Sequence, residues 1–328
     1  MHKDSILEVK NLHKRFASKG ITVKAVTDVS FNVKPGETIG IVGESGCGKT
    51  TLGRCIVRAY HASEGEVFYR TRAGEEVDFL KVDKKKMKEI RKEIQMIFQD
   101  PYSSLDPRMT VLDIIKEPLK ANYPKMPKAE MDRKAKQMAE KVGLDPSYLM
   151  RYPHAFSGGQ RQRIGIARAL VVEPQVIVCD EAVSALDVSI QAQVINLLRD
   201  LQKDLNLTYL FISHDLSVVE HISDKVGVMY LGSMVELASS ETIFKNAKHP
   251  YTKALMAAIP EVDFDGLGKK NIERLQGEVP SPIDPPPGCR FAARCKYATD
   301  LCRKEMPALV EVEPDHFVAC HYCDKMPD

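Results

Sequence analysis

Gly43-Glu-Ser-Gly-Cys-Gly-Lys-Thr50 follows directly on the apolar run Thr38-Ile-Gly-Ile-Val42. Its spacing is G-x-x-x-x-G-K-[ST], the pattern of a loop that wraps a polyphosphate. The glycines let the backbone close around the anion, with N–H groups aimed inward at a helix N-terminus. Lys49 then reaches the β- and γ-phosphates, and the Thr50 hydroxyl takes Mg²⁺. Glu44, Ser45, Gly46, Cys47, Gly48 and Thr51 complete the expected nucleotide contacts. A glycine-rich strand-to-helix turn with an incidental lysine would carry the same letters. Context favours the phosphate: a buried strand leads in, and Thr51-Leu-Gly-Arg-Cys-Ile-Val57 can lead out as a helix. The expected fold is α/β, organised around a bound nucleotide.

Composition narrows the classes. A chain of 328 residues holds one large domain, or a core domain with an appendage. Lys+Arg 47 against Asp+Glu 45 leaves a net charge of +2, so no global field points to nucleic acid or anionic lipid. No apolar run approaches bilayer length, and Met1-His-Lys-Asp-Ser-Ile-Leu-Glu8 lacks the apolar region of a signal peptide. A cytosolic protein is expected, with any membrane role passing through partners.

Upstream of the loop, Ile6 to Lys10 alternates apolar and polar residues, and Val23 to Val33 is a second extended run. These predict antiparallel strands joined by the polar turn Ser18-Lys19-Gly20. Phe16 stands on the approach; taken alone it belongs in the core, and a ring stacked on a nucleotide base is the functional alternative. Downstream, Gly65 to Tyr69 predicts a strand and Lys81 to Arg91 a charged segment entering a helix. Ile94-Gln-Met-Ile-Phe98 predicts a short strand that stops at Gln99, which such a position can bring near a metal and an attacking water.

From Ser103 to Leu149 the periodicity turns helical, with amphipathic helices at Val111 to Ile115 and Met131 to Val142. This predicts an inserted helical subdomain over about residues 100–163. It closes on Phe156 and on Ser157, Gly158, Gly159 and Gln160, which open a helix where free N–H groups and the dipole favour an anion. An ordinary capped helix start fits equally. One nucleotide does not need two such cradles in one subunit, whereas two subunits packed head to tail would use both.

Val176-Ile-Val-Cys-Asp180-Glu181 is a buried strand with carboxylates at its C-terminal end, where α/β sheets hold ligands. Asp180 suits Mg²⁺, and Glu181 suits a general base acting on water. Ser184-Ala-Leu-Asp187 turns into a helix over Ile190 to Leu205. Thr208 to Ser213 then repeats the buried strand and ends at His214, which can donate a hydrogen bond to a γ-phosphate.

In this order the motifs resemble the ATP-binding subunit of an ABC transporter. The resemblance runs through Walker A at Gly43 to Thr50, the Q-loop at Gln99 and the signature at Ser157 to Gln160. It continues through Walker B at Val176 to Asp180 with catalytic Glu181, the D-loop at Ser184 to Asp187 and the switch histidine His214. Phe156 replaces the usual signature leucine. The resemblance implies a P-loop NTPase core over residues 1–250, with an antiparallel β subdomain and the helical insertion. It implies that Phe16 stacks on adenine, that Thr50, Gln99 and Asp180 serve Mg²⁺, and that Lys49 and His214 stabilise γ-phosphate charge. Ser157 to Gln160 and Asp187 would complete the ATP site of a homologous subunit, identical or not, packed head to tail. Opening and closing would pass to two transmembrane permease subunits at the cytoplasmic face of the membrane.

The tail refines the resemblance. His249-Pro-Tyr-Thr-Lys-Ala-Leu255, Gly277 to Ile283 and Pro285 to Phe291 resemble the C-terminal extension of dipeptide and oligopeptide importer ATPases, so residues 251–328 are expected to form such an extension. That implies peptide import, with an extracytoplasmic peptide-binding protein reached through the permeases; related subunits serve nickel importers. A non-transport ABC ATPase acting on nucleic acid or ribosomes is the alternative of another class, but this chain has neither the long coiled coil nor the doubled core of those proteins. An electron-transfer protein would leave the ATP-hydrolysis motifs unexplained.

Of the 8 cysteines, Cys289, Cys295, Cys302, Cys320 and Cys323 crowd residues 289–323. Only Cys320-His-Tyr-Cys323 has the spacing of a zinc knuckle, and the bacterial ferredoxin run is absent. Spacing leaves iron–sulfur, zinc and no metal open. The resemblance favours a [4Fe–4S] cluster on Cys289, Cys295, Cys302 and Cys320, with Zn²⁺ as the alternative, holding together a Pro-rich appendage that can bury little surface of its own.

Overall fold

The computed structural model describes residues 1–18, 20–259 and 280–323. Strands β1 (Leu7–Ser18) and β2 (Ile21–Val33) pair antiparallel from Ser18 opposite Ile21 to Leu7 opposite Val33. Lys19 of the expected turn lies outside the described residues. β3 (Thr38–Val42) is buried throughout and runs through the glycine loop into α1 (Lys49–Ile56). β4 (Glu64–Arg70) and β5 (Glu76–Asp78) complete an antiparallel sheet ordered β2-β1-β4-β5. The charged segment becomes α2 (Lys84–Glu93), capped by Asp83, and β6 (Ile94–Ile97) follows. Phe98, expected to close that strand, lies outside it and is 44% exposed.

The helical insertion contains α3 (Val111–Asn122), capped by Thr110, and α4 (Lys128–Lys141). Both pack on α5 (Gly158–Leu170), burying Ile114, Ile115, Met138 and Ile164 in one cluster. β7 (Val176–Asp180), α6 (Val188–Leu205), β8 (Thr208–Ile212) and α7 (Leu216–Ile222) return the chain to the core. β9 (Lys225–Tyr230) and β10 (Ser233–Ser239) form a hairpin, followed by α8 (Ser240–Asn246) and α9 (Pro250–Ala257). The extension adds α10 (Asp300–Lys304), β11 (Val310–Glu313) and β12 (His316–Val318).

The second sheet is ordered β11-β12-β10-β9-β3-β8-β7-β6, with β9, β3, β8, β7 and β6 parallel. Successive side chains of its central strands point to opposite faces. Ile177, Cys179, Tyr209 and Phe211 face the cluster that contains α5, α6 and α7. Val178, Leu210 and Ile212 face the cluster that contains α1 and the antiparallel sheet. Both faces are therefore dry, and each fully buried large side chain contributes about 1.5–3 kcal/mol. The parallel arrangement leaves the C-terminal ends of β3, β6, β7 and β8 side by side, where the loops carrying the candidate site begin.

The extension is built onto both sheets. β12 pairs with β10, with Glu236 opposite Val318. Lys24 of β2 donates its N–H to Pro282 O at 3.2 Å, and Asp284 donates to Thr22 O at 3.3 Å. Residues 277–279 of the Gly277 to Ile283 motif lie outside the described residues. No helix among the described residues is long and apolar enough to cross a membrane.

Candidate nucleotide-binding site

The loop geometry shows why two of its glycines are required. Gly43 has φ +149°, and a Cβ there would sit 2.1 Å from Met229 O. Gly48 has φ +104°, and its Cβ would sit 2.1 Å from Ala25 O. Ser45 and Gly46 form the exposed crest. Gly48 caps α1 without any side-chain hydrogen bond, so no side chain competes for the free N–H groups of the helix start. Lys49 is buried and donates from Nζ to Gly43 O at 2.7 Å and Glu44 O at 3.0 Å. Thr51 follows in the first turn of α1. The Cys47 side chain is buried in the apolar cluster behind the loop, and burial pushes its thiol up, so Cys47 offers a ligand only its backbone.

The end of β7 comes to the start of α1. Thr50 Oγ1 donates to Asp180 Oδ1 at 2.7 Å. Asp180 is fully buried, its Oδ2 has no hydrogen-bond partner, and the nearest cation is Arg54 Nε at 3.9 Å. Burial pushes its carboxyl up, partly offset by the Thr50 hydrogen bond. A buried, half-satisfied carboxylate oxygen next to a hydroxyl is a donor set suited to a hard divalent cation.

Glu181 leaves the strand with φ +47°, a conformation rare for a side-chain-bearing residue and held by its N–H donating to Ile212 O at 2.9 Å. Its Oε2 accepts from Gln99 Nε2 at 2.8 Å and lies 3.3 Å from His214 Nδ1. Three residues from three loops thus meet on one oxygen. Within this grouping Gln99 is held by Glu181, while Thr50 pairs with Asp180.

The second cradle lies elsewhere. Ser157 caps α5 through a reciprocal box, its Oγ accepting from Gln160 N and its N–H donating to Gln160 Oε1. The cap closes on itself, leaving the first two N–H groups of the helix for a ligand. Ser157 and Gln160 are exposed, Gly158 lies against Leu186 and Gly159 against Ile190. Asp187 caps α6, accepting from Ile190 N at 3.0 Å, so this cradle and the Asp187 turn form one surface. Among the described residues no hydrogen bond or ion pair joins it to the Gly43–Thr50 loop. Phe16 is 39% exposed, edge-on to Tyr60 at 5.7 Å between ring centroids, with Lys14 Nζ 4.6 Å above its ring.

The tail gathers four of its clustered cysteines around one small cavity. Among the described residues no group of three or more His, Cys, Asp or Glu side chains is arranged to hold a metal ion. Cys289, Cys295, Cys302 and Cys320 do line one cavity, but it encloses only about 20 Å³. That is room for about one water. Burial pushes the Cys289, Cys295 and Cys320 thiols up, Cys320 to about 12, which keeps them protonated.

A phosphate loop on a parallel sheet, an antiparallel sheet, a helical insertion and a separate Ser-Gly-Gly-Gln helix start define an ATP-binding cassette. The ABC transporter family model matches residues 26–184, and the model of the oligopeptide/dipeptide transporter C-terminal region matches residues 235–302. The oligopeptide transport ATP-binding protein OppF of Haemophilus influenzae is 53% identical over 319 residues, 97% of this chain and 95% of that protein. AppF of Bacillus subtilis, another oligopeptide transport ATP-binding protein, is 51% identical over 98% of both chains. A solved dimeric ATP-binding cassette in a post-hydrolysis state with ADP and Pi superimposes with TM-score 0.64 at 27% identity, covering 71% of this chain and 98% of that one. The chain belongs to the oligopeptide transport ATP-binding proteins of the ABC transporter family.

Sequence reading missed three side chains around the loop. Arg54 approaches Asp180, Tyr251 accepts a hydrogen bond from Glu44 N–H, and Arg294 pairs with the Glu44 carboxylate. Arg54 stood one helical turn after Thr50, facing the same way, and was legible in principle. Tyr251 and Arg294 carried no local signal.

Proposed function

We propose that this chain hydrolyses ATP to power import of dipeptides and oligopeptides, attached at the cytoplasmic face of the membrane to two permease subunits. It would pair with a homologous ATPase, identical or not, and receive peptide through an extracytoplasmic binding protein; nucleic acid has no part. The observation that carries the reading is the meeting of Gln99 and His214 on Glu181 Oε2, beside the Thr50–Asp180 pair. Thr50 and Asp180 would hold Mg²⁺, which supplies charge neutralisation at the phosphates. Lys49 would leave Gly43 O and Glu44 O for the β- and γ-phosphates. Glu181 takes a proton from water as the water oxygen bonds to the γ-phosphorus. The bond from that phosphorus to the β–γ bridging oxygen breaks, giving ADP and phosphate. His214 donates a hydrogen bond to the charge that builds on the γ-phosphoryl oxygens. Phe16 would stack on adenine, and Ser157, Gly158, Gly159 and Gln160, with Asp187, would close on the nucleotide of the partner subunit.

Deleting the chain from its cells should abolish uptake of a labelled tripeptide, and the wild-type gene should restore it while Glu181→Gln should not. Peptide uptake that survives deletion, or loss of nickel uptake alone, would overturn peptide as the cargo.

We propose further that Cys289, Cys295, Cys302 and Cys320 hold a [4Fe–4S] cluster, with Zn²⁺ the alternative. Support comes from four thiols on one cavity and from the resemblance of the tail; binding requires their protons to leave and the cavity to widen. Iron with equimolar sulfide in protein purified without oxygen is the expected result, and zinc or no metal would refute the cluster.

A further inference from the structure

Every polar function of Glu44, the first variable residue of the phosphate loop, is engaged. Its N–H donates to Tyr251 Oη at 3.0 Å, and its carbonyl accepts from Lys49 Nζ at 3.0 Å. Its carboxylate takes Arg294 Nη1 at 2.8 Å from Oε2 and 3.1 Å from Oε1. Arg294 lies 250 residues away in sequence, in the turn between Cys289 and Cys295. The Arg294 side chain is 7% exposed, so bulk water screens this pair little.

The attachment is rigid on the extension's side. Phe291, three residues before Arg294, packs against Tyr230 at 5.3 Å and Tyr251 at 5.4 Å between ring centroids. Tyr230 and Tyr251 are themselves 4.6 Å apart, and all three rings are buried. Arg294 N donates to Phe291 O at 2.9 Å, which winds the turn that presents the guanidinium. The guanidinium also donates to Tyr230 Oη at 3.4 Å. An aromatic block thus joins β9, α9 and the cysteine-bearing turn beneath the phosphate loop.

We propose that Arg294 and Tyr251 are positioning residues for ATP binding: the C-terminal extension fixes the start of the phosphate loop and neutralises the Glu44 carboxylate beside the triphosphate. This rests on the nucleotide-binding reading of the Gly43–Thr50 loop. Tyr251 sets the peptide plane between Gly43 and Glu44, and with it the Gly43 carbonyl that holds Lys49. Arg294 acts on charge. Without it, a carboxylate anchored in the loop faces an incoming polyanion and weakens binding without altering the groups that act on the γ-phosphate.

The test uses the full chain in its ATPase assembly, with Kd for a fluorescent ATP analogue and KM and kcat for ATP. Arg294→Ala should raise Kd and KM about tenfold, the scale of a hydrogen bond to a charged group, and leave kcat within about twofold. Arg294→Lys should restore most of the affinity. Adding Glu44→Gln to Arg294→Ala should also restore it, because the unneutralised charge is gone. Tyr251→Phe, which keeps the ring, should raise Kd several-fold without lowering the melting temperature. Unchanged Kd in Arg294→Ala, or a loss that neither Lys nor Glu44→Gln relieves, would overturn the proposal. Failure of the wild-type chain to bind ATP would instead overturn the nucleotide-binding reading.

Discussion

Gln99 donates its side-chain amide to Glu181 Oε2 at 2.8 Å across 82 residues of sequence. Gln99 follows β6 and Glu181 follows β7, and the strands pair parallel with Ile97 opposite Cys179, so the register delivers both residues to one end of the sheet. The shared oxygen has two consequences. In the proposed mechanism, a Glu181 oxygen held by an amide N–H is less able to accept a proton from water. Any movement of the segment after β6, which carries the exposed Phe98 and Tyr102, therefore alters the state of Glu181.

Glu181→Gln should keep ATP binding and lose most turnover, by about 10²- to 10⁴-fold for loss of a general base. With hydrolysis blocked, ATP should hold two subunits together, visible as a dimer by light scattering. Wild-type phosphate release from the variant in a single-turnover assay would remove Glu181 from that role.

Asp180→Asn should separate folding from ligand binding. The native carboxyl is buried, with Oδ2 unpartnered and its pKa pushed up by burial, so an amide of the same shape should leave the melting temperature of the nucleotide-free chain unchanged or higher. Mg²⁺ with ATP at a hundredfold excess over Kd should stabilise the wild type by about 2.7 kcal/mol and the variant hardly at all. An equal thermal shift in both proteins would mean that Asp180 does not serve the cation.

Much of this was legible because strand ends and helix starts carry local signals. Val176 to Asp180 reads as a buried strand from its own letters, and Ser157 reads as a cap from Gln160 three residues on. β9 and β10 escaped the reading although β9 lies beside β3 at the centre of the sheet. Their signal was the turn Leu231-Gly232, both at positive φ (44° and 86°), between two apolar runs. The Glu44–Arg294 pair had no such signal, because the contact exists only after the extension has packed on β2 and β10. The thiol cavity is the opposite case: the sequence grouped the cysteines, but spacing does not set how far apart their sulfurs stand.

Phe16→Ala should raise Kd for ATP by roughly 5- to 150-fold, matching the 1–3 kcal/mol of a base–aromatic stack, and Phe16→Tyr should bind as the wild type does. The half-exposed ring with Lys14 Nζ above it leaves a face on which a base can lie. A stack tolerates any base, so GTP binding should fall in parallel. Unchanged affinity for both nucleotides would leave Phe16 only its edge-on contact with Tyr60.

His316 ties the extension to the core with a pH-dependent strength. Its Nε2 lies 2.8 Å from Glu236 Oε1, and Glu236, fully buried on β10, also accepts from the N–H groups of Lys248 and His249. Glu313 Oε2 stands 3.5 Å from the other ring nitrogen, and Lys248 pairs with Glu313 at 3.1 Å. The Glu236 hydrogen bond raises the His316 pKa above its ordinary value. A raised folded pKa means that the stabilisation is complete below the unfolded value of about 6.5 and is lost as pH rises through the folded value. His316→Leu should therefore cost roughly 3 kcal/mol at pH 6, the scale for stranding one partner of a buried pair, and distinctly less at pH 9. Urea midpoints of wild type and variant at the two pH values measure the difference. An equal loss at both would mean that His316 holds Glu236 as a neutral ring, and the extension would then be anchored independently of pH.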